Sequence, residues 1–163
     1  MNRPQRVLLL GVGSPFGADR IGWLAADALL QGDLAASFPQ LELRIEQSDR
    51  PGSRLIGLLG STDAAVIIDA MQSGAPAGTV RRFALREVAA TTDFVSSHGF
   101  GVNDALALAE QLGALPAKVA VIGIEMGSET DPESLLHTAL AMVESTVREL
   151  LLTYGADAGA DRR

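Results

Sequence analysis

Two aspartates and one histidine could do chemistry together if folding brings them to one place. Asp19 lies in a turn-rich stretch, Gly13-Ser14-Pro15-Phe16-Gly17-Ala18-Asp19-Arg20, just after an apolar run. Asp69 ends another apolar run, Ala64-Ala65-Val66-Ile67-Ile68-Asp69-Ala70. His98 stands shortly before a segment with helical spacing. Two carboxylates and an imidazole form a metal site that leaves positions open for water or substrate, and such ligands suit nickel, zinc or iron. Each residue also has a plainer role. Asp19 could cap a helix beginning near Ile21, Asp69 could cap the element after its strand, and His98 could cap its helix or bond a backbone carbonyl. At a helix N-terminus the dipole disfavours imidazolium, and neutral imidazole is the form that binds metal. His137 falls beside the apolar stripe of the last helix and reads as a surface residue, as do Asp104 and Glu110.

The elements that must position these groups follow from apolar periodicity. Residues 7–12, 64–70 and 119–124 are short continuous apolar runs, the pattern of strands buried on both faces. Residues 41–47 alternate strictly, which predicts a half-exposed strand near a sheet edge. Residues 79–85 could form a further strand. Helical spacing marks Ile21, Leu24, Ala25, Ala28 and Leu29; residues 53–59, with Ser53 as a cap; and residues 102–112. The last helix opens on Asp131-Pro132-Glu133 and carries Leu136, Leu140, Val143, Val147, Leu150 and Leu151 as its stripe. Gly155 is its expected stop, which makes residues 155–163 a mobile tail and residues 1–154 one domain. Alternating strands and helices predict an α/β fold with a mainly parallel twisted sheet and helices on both faces. Open sheets of this class place sites beyond the carboxyl ends of their strands, the rim where Asp19 and Asp69 would meet with His98 nearby.

Composition removes several classes. The chain of 163 residues is 47% hydrophobic, which excludes disorder of the whole and fits one domain with a real core. With no cysteine there is no disulfide framework, thiolate metal site or cysteine nucleophile. The net charge is −7, and the basic pairs Arg81-Arg82 and Arg162-Arg163 make no stripe, so a nucleic-acid partner is not expected. Lys118 is the only lysine, a poor candidate for phosphate-loop or Schiff-base chemistry. No apolar run approaches the roughly 20 residues of a membrane span, and the opening run is too short for a signal peptide. The expectation is a cytoplasmic protein with no membrane partner. Gly11-Val12-Gly13 opens like a dinucleotide loop, but Phe16 stands where the final glycine is needed, and Pro15 lies inside the turn.

Taken in order, these segments resemble the [NiFe]-hydrogenase maturation endopeptidases over residues 6–152. That family opens with a strand, G-x-G-N, an acidic pair and a glycine before a helix; here the run is Gly11-Val12-Gly13-Ser14, then Ala18-Asp19-Arg20-Ile21-Gly22. Its second signature, an apolar strand ending in Asp-Ala and a glycine-containing loop, is Val66-Ile67-Ile68-Asp69-Ala70 with Gly74 and Gly78. Its Ser-x-His is Ser96-Ser97-His98, and its late strand is Val121-Ile122-Gly123-Ile124-Glu125. Ser14 replaces the usual Asn, and Ala18 replaces one acid of the pair. A one-residue gap brings Gly22 onto the family glycine and Asp19 onto the acidic position; without it, Arg20 would stand there.

The resemblance implies a single-domain three-layer sandwich of phosphorylase/hydrolase-like type. It implies an aspartyl-type endopeptidase that removes the C-terminal extension of a hydrogenase large-subunit precursor after nickel insertion. Asp19, Asp69 and His98 would be catalytic and would engage the metal. The nickel would be carried by the substrate, with other divalent ions able to enter the site in isolation. The alternative is a non-proteolytic nickel-sensing chaperone or checkpoint factor on the same fold. A small-molecule hydrolase using the same rim is a second rival.

Overall fold

Gln5–Val12 form β1, the centre of a five-stranded sheet ordered β2-β1-β3-β5-β4 in a computed structural model of the chain. The structure describes residues 3–14, 18–49, 52–92, 94, 101–128 and 131–160, with residues 18, 53 and 157–160 described by backbone alone. The other strands are β2 (Leu41–Ser48), β3 (Ala64–Met71), β4 (Val80–Ala84) and β5 (Lys118–Glu125). The helices are α1 (Ile21–Gln31), α2 (Leu34–Ser37), α3 (Gly52–Gly60), α4 (Leu85–Ala90), α5 (Val102–Gln111) and α6 (Pro132–Ala160).

The continuous apolar runs are explained by two cores. On one face Leu9, Val66, Ile68 and Ile122 pack against α1 and α6 through Ile21, Leu29, Val143 and Val147. On the other, Leu8, Leu10, Ile67 and Val121 pack against α3 and α5 through Leu55, Leu59 and Leu106. A strand covered on both sides has no solvent face, so its alternate residues are all apolar. β2, with its alternating exposure, is an edge strand as its period of two predicts.

Several local details differ from expectation. The 79–85 strand ends at Ala84, and Leu85 opens α4; Glu87 Oε2 accepts the Ala84 N–H at 2.6 Å and fixes that switch. β4 lies antiparallel to β5, because the link from β3 contains no helix and is too short for the crossover of a parallel pair. In α6 the core-facing residues include the expected Val143, Val147, Leu150 and Leu151, with Leu136 half-buried against the same core, and the stripe is wider than expected because Leu135, Ala139 and Tyr154 are buried as well. The helix also runs past Gly155 to Ala160. Its start agrees with expectation: the Asp131 side chain accepts the Ser134 N–H at 3.0 Å, with Pro132 in first position. α3 begins at Gly52, one residue before the expected cap. No described helix is long and apolar enough to cross a membrane.

Three glycines let α1 lie directly on the sheet. A methyl group on Gly22 would collide with the Val12 carbonyl oxygen and come within 2.8 Å of the Ile68 carbonyl oxygen. One on Gly11 would strike the Gly22 carbonyl oxygen, and one on Gly13 that of Asp19. This close crossing delivers the Asp19 turn onto the ends of β1 and β3. Gly22→Ala is therefore expected to cost about 2–4 kcal/mol of stability, because both obstacles are backbone. A lowered urea midpoint with an unchanged slope is the result to look for.

Candidate active site

Asp69 is the sixth of the eight residues of β3 and is 7% exposed, a carboxylate near the C-terminal end of a wholly buried strand that runs on to Met71 rather than ending on it. Burial pushes its proton affinity well above the usual carboxylate range. The Ala70 N–H, donated to Oδ1 at 2.8 Å, opposes that shift, and the charge of Asp19 adds to it. Asp69 therefore caps no helix; its one described hydrogen bond is to its own neighbour.

Asp19 reaches this neighbourhood from a short 3-10 turn, Ala18–Arg20, that touches β3. The residue at the N-cap of α1 is Arg20, not Asp19. The Arg20 guanidinium pairs with Glu133 of α6 at 3.1 Å, while the Asp19 charge is felt at Asp69. The turn is anchored at both flanks: the Ser48 carbonyl accepts the Gly13 N–H at 3.1 Å and the Trp23 Nε1–H at 2.8 Å.

Asp69 opens onto a cavity of about 270 Å³. Thr91, Thr92 and Phe94 form one side, and Gly101, Val102, Asn103 and Asp104 the other. Phe94 is held over the strand end by an antiparallel bridge to Met71 and an edge-on ring contact with Phe83 at 5.1 Å. Asn103 Nδ2 donates to the carbonyls of Val88 (3.0 Å) and Thr91 (3.1 Å), tying the end of α4 to the first turn of α5. Its Oδ1 is buried without a partner among the described residues. Asp104 is more than a surface charge: it accepts the Gly101 N–H at 3.2 Å and lines the cavity. Glu110 and His137 are exposed, as expected.

His98, with Ser96 and Ser97, lies outside the described residues. Among the described residues, no cluster of three His, Asp or Glu side chains suited to a metal is present. Phe94 and Gly101, which flank the segment carrying His98, both line the Asp69 cavity. Beyond β3, the buried Glu125 accepts the Ser73 Oγ–H at 2.6 Å and the backbone N–H groups of Ser73 (3.0 Å) and Gly74 (3.2 Å). That carboxylate fixes the loop leaving the Asp69 strand.

Residues 51–152 match the HycI family, hydrogenase maturation protease. The chain belongs to the hydrogenase maturation protease family. It is thus a peptide-bond hydrolase, and the rim bearing Asp69 belongs to an enzyme fold. The hydrogenase expression/formation protein HupD of Thiocapsa roseopersicina is 28% identical over all of this chain and 73% of its own length. The hydrogenase maturating endopeptidase HybD of E. coli is 26% identical, with a TM-score of 0.64 over 88% of this chain and 93% of its own. The solution structure of an endopeptidase from Escherichia coli is 28% identical, with a TM-score of 0.69 over the same shares. This protease shares its α/β fold with the two E. coli structures.

Sequence reasoning missed Thr91, Thr92, Phe94 and Asn103. The first three sit in a connection with no periodicity, where only the fold reveals what they face. Asn103 offered one signal: a polar side chain in the first turn of a helix that directly follows a candidate ligand.

Proposed function

We propose that this protease removes the C-terminal extension of a [NiFe]-hydrogenase large-subunit precursor once nickel has been inserted, and that Asp19, Asp69 and His98 engage that nickel as part of the substrate. The observation that carries the reading is the buried Asp69 with a second carboxylate close enough to raise its proton affinity. Two acids whose charges act on one another are costly in the free protein, and a cation shared by them would relieve the cost. A precursor without metal supplies no such relief. The site therefore favours loaded substrate.

The same arrangement serves hydrolysis. The substrate's nickel polarises the carbonyl to be attacked or a water beside it. A carboxylate of raised proton affinity accepts the proton of the attacking water. Thr91 and the first turn of α5 shape the wall along which the peptide would lie.

Intact-mass measurement of the precursor, co-expressed with this protein with and without nickel, tests the proposal. The expected result is one shortened product, formed only with nickel. Cleavage independent of nickel contradicts it. Capture of the loaded precursor at full length points instead to a checkpoint factor that does not cut.

A further inference from the structure

We propose that the groove between α4 and α5 receives an apolar side chain of the substrate peptide next to the bond that is cut; this rests on the function proposed above. The groove is a cavity of about 300 Å³. Val88 and Leu106 form its floor, 1% and 2% exposed, and Leu85 is half-buried beside them. Exposed Ala89 and Ala107 belong to its lining, and their small size keeps the space open. Arg86 and Glu110 also line it, so it prefers neither charge.

Its connection to the Asp69 cavity identifies the occupant. Asn103 lines both spaces. Its two hydrogen bonds, to the carbonyls of Val88 and Thr91, hold α4 and α5 together where the spaces meet. The groove is thereby preformed, and little ordering cost falls on binding. An extended peptide advances about 3.3 Å per residue, so a chain crossing Asp69 carries the next side chains along this wall. At about 300 Å³ the groove lies at the lower end of the volumes of mostly apolar ligand sites. A second cavity, lined by Asp27, Glu46 and Arg54 between α1 and β2, shares no lining residue with the Asp69 site.

The test uses the full-length protein with nickel-loaded large-subunit precursor. Ala107→Trp and Ala89→Trp fill the groove from exposed positions. Each is expected to raise KM by on the order of ten-fold with kcat nearly unchanged, the mark of lost ground-state binding. A benzophenone-bearing residue placed at position 107 is expected to cross-link to precursor residues beside the cleavage point. The same group at exposed Met142 on α6 is expected to give no such product. Wild-type KM in both tryptophan variants, or cross-links from position 107 that map elsewhere on the precursor, would overturn the subsite and leave the proposed function standing. Failure of the wild-type protein to cut the precursor would overturn both.

Discussion

Asp69→Asn is expected to produce a protein that no longer processes precursor yet is more stable than the wild type at neutral pH. The carboxylate is buried near the end of β3, and its proton affinity is raised by that burial and by Asp19, against the single opposing Ala70 N–H. At pH values between the ordinary aspartate range and the raised native value, the native state therefore holds a proton that the unfolded chain releases. Stability must then fall as pH rises from the ordinary aspartate range through the raised native value. Asparagine keeps an acceptor for the Ala70 N–H and carries no charge to desolvate. The two proteins should unfold alike in acid and diverge as pH increases, with the variant ahead by about 1 kcal/mol or more, roughly 2–4 °C in Tm. Thermal unfolding between mildly acid and neutral pH checks this. A variant less stable than the wild type at neutral pH would mean that the resting protein already pairs the charge. Activity should move the other way, with cleavage lowered on the order of a thousand-fold or more, since an amide is a weaker metal ligand and no base.

Asp19→Asn and Arg20→Ala form the second contrast. The two residues are neighbours, and only one can be the acidic-position equivalent of the family signature. Arg20 is engaged with Glu133 on α6, whereas the charge of Asp19 acts on Asp69. Cleavage should fall on the order of a hundred-fold or more in Asp19→Asn. Arg20→Ala loses only a surface ion pair and should stay within a few-fold of wild type. Single-turnover cleavage of nickel-loaded precursor separates the two. Equal activity in Asp19→Asn and wild type would remove Asp19 from the site.

The buried centre of the sheet was readable because β1, β3 and β5 are covered on both faces, a condition that admits almost only apolar residues. The rim followed from it, since a strand that is apolar up to Asp69 must deliver that carboxylate near its carboxyl end. Less legible were features set by contacts distant in sequence. The turn from β4 into α4 is a local contact, Glu87 reaching back to Ala84, whereas the pairing of β4 with β5 joins segments about forty residues apart. In α6 both Leu135 and Leu136 meet the same core, so the buried face is wider than the single stripe that periodicity marks. Asn103 and Phe94 became visible only when the chain was folded, because each gains its role from backbone on another element.

The whole account turns on one meeting of groups around a substrate-borne ion, and His98→Ala probes it most directly. Nickel-loaded precursor should be incubated with wild type, Asp69→Ala, His98→Ala and the double variant, with intact mass followed over a single turnover. Groups acting together on one ion are non-additive, so both single variants and the double variant should fall to nearly the same floor, with the fold preserved by circular dichroism. Normal trimming of the precursor by a well-folded His98→Ala protein would contradict the account.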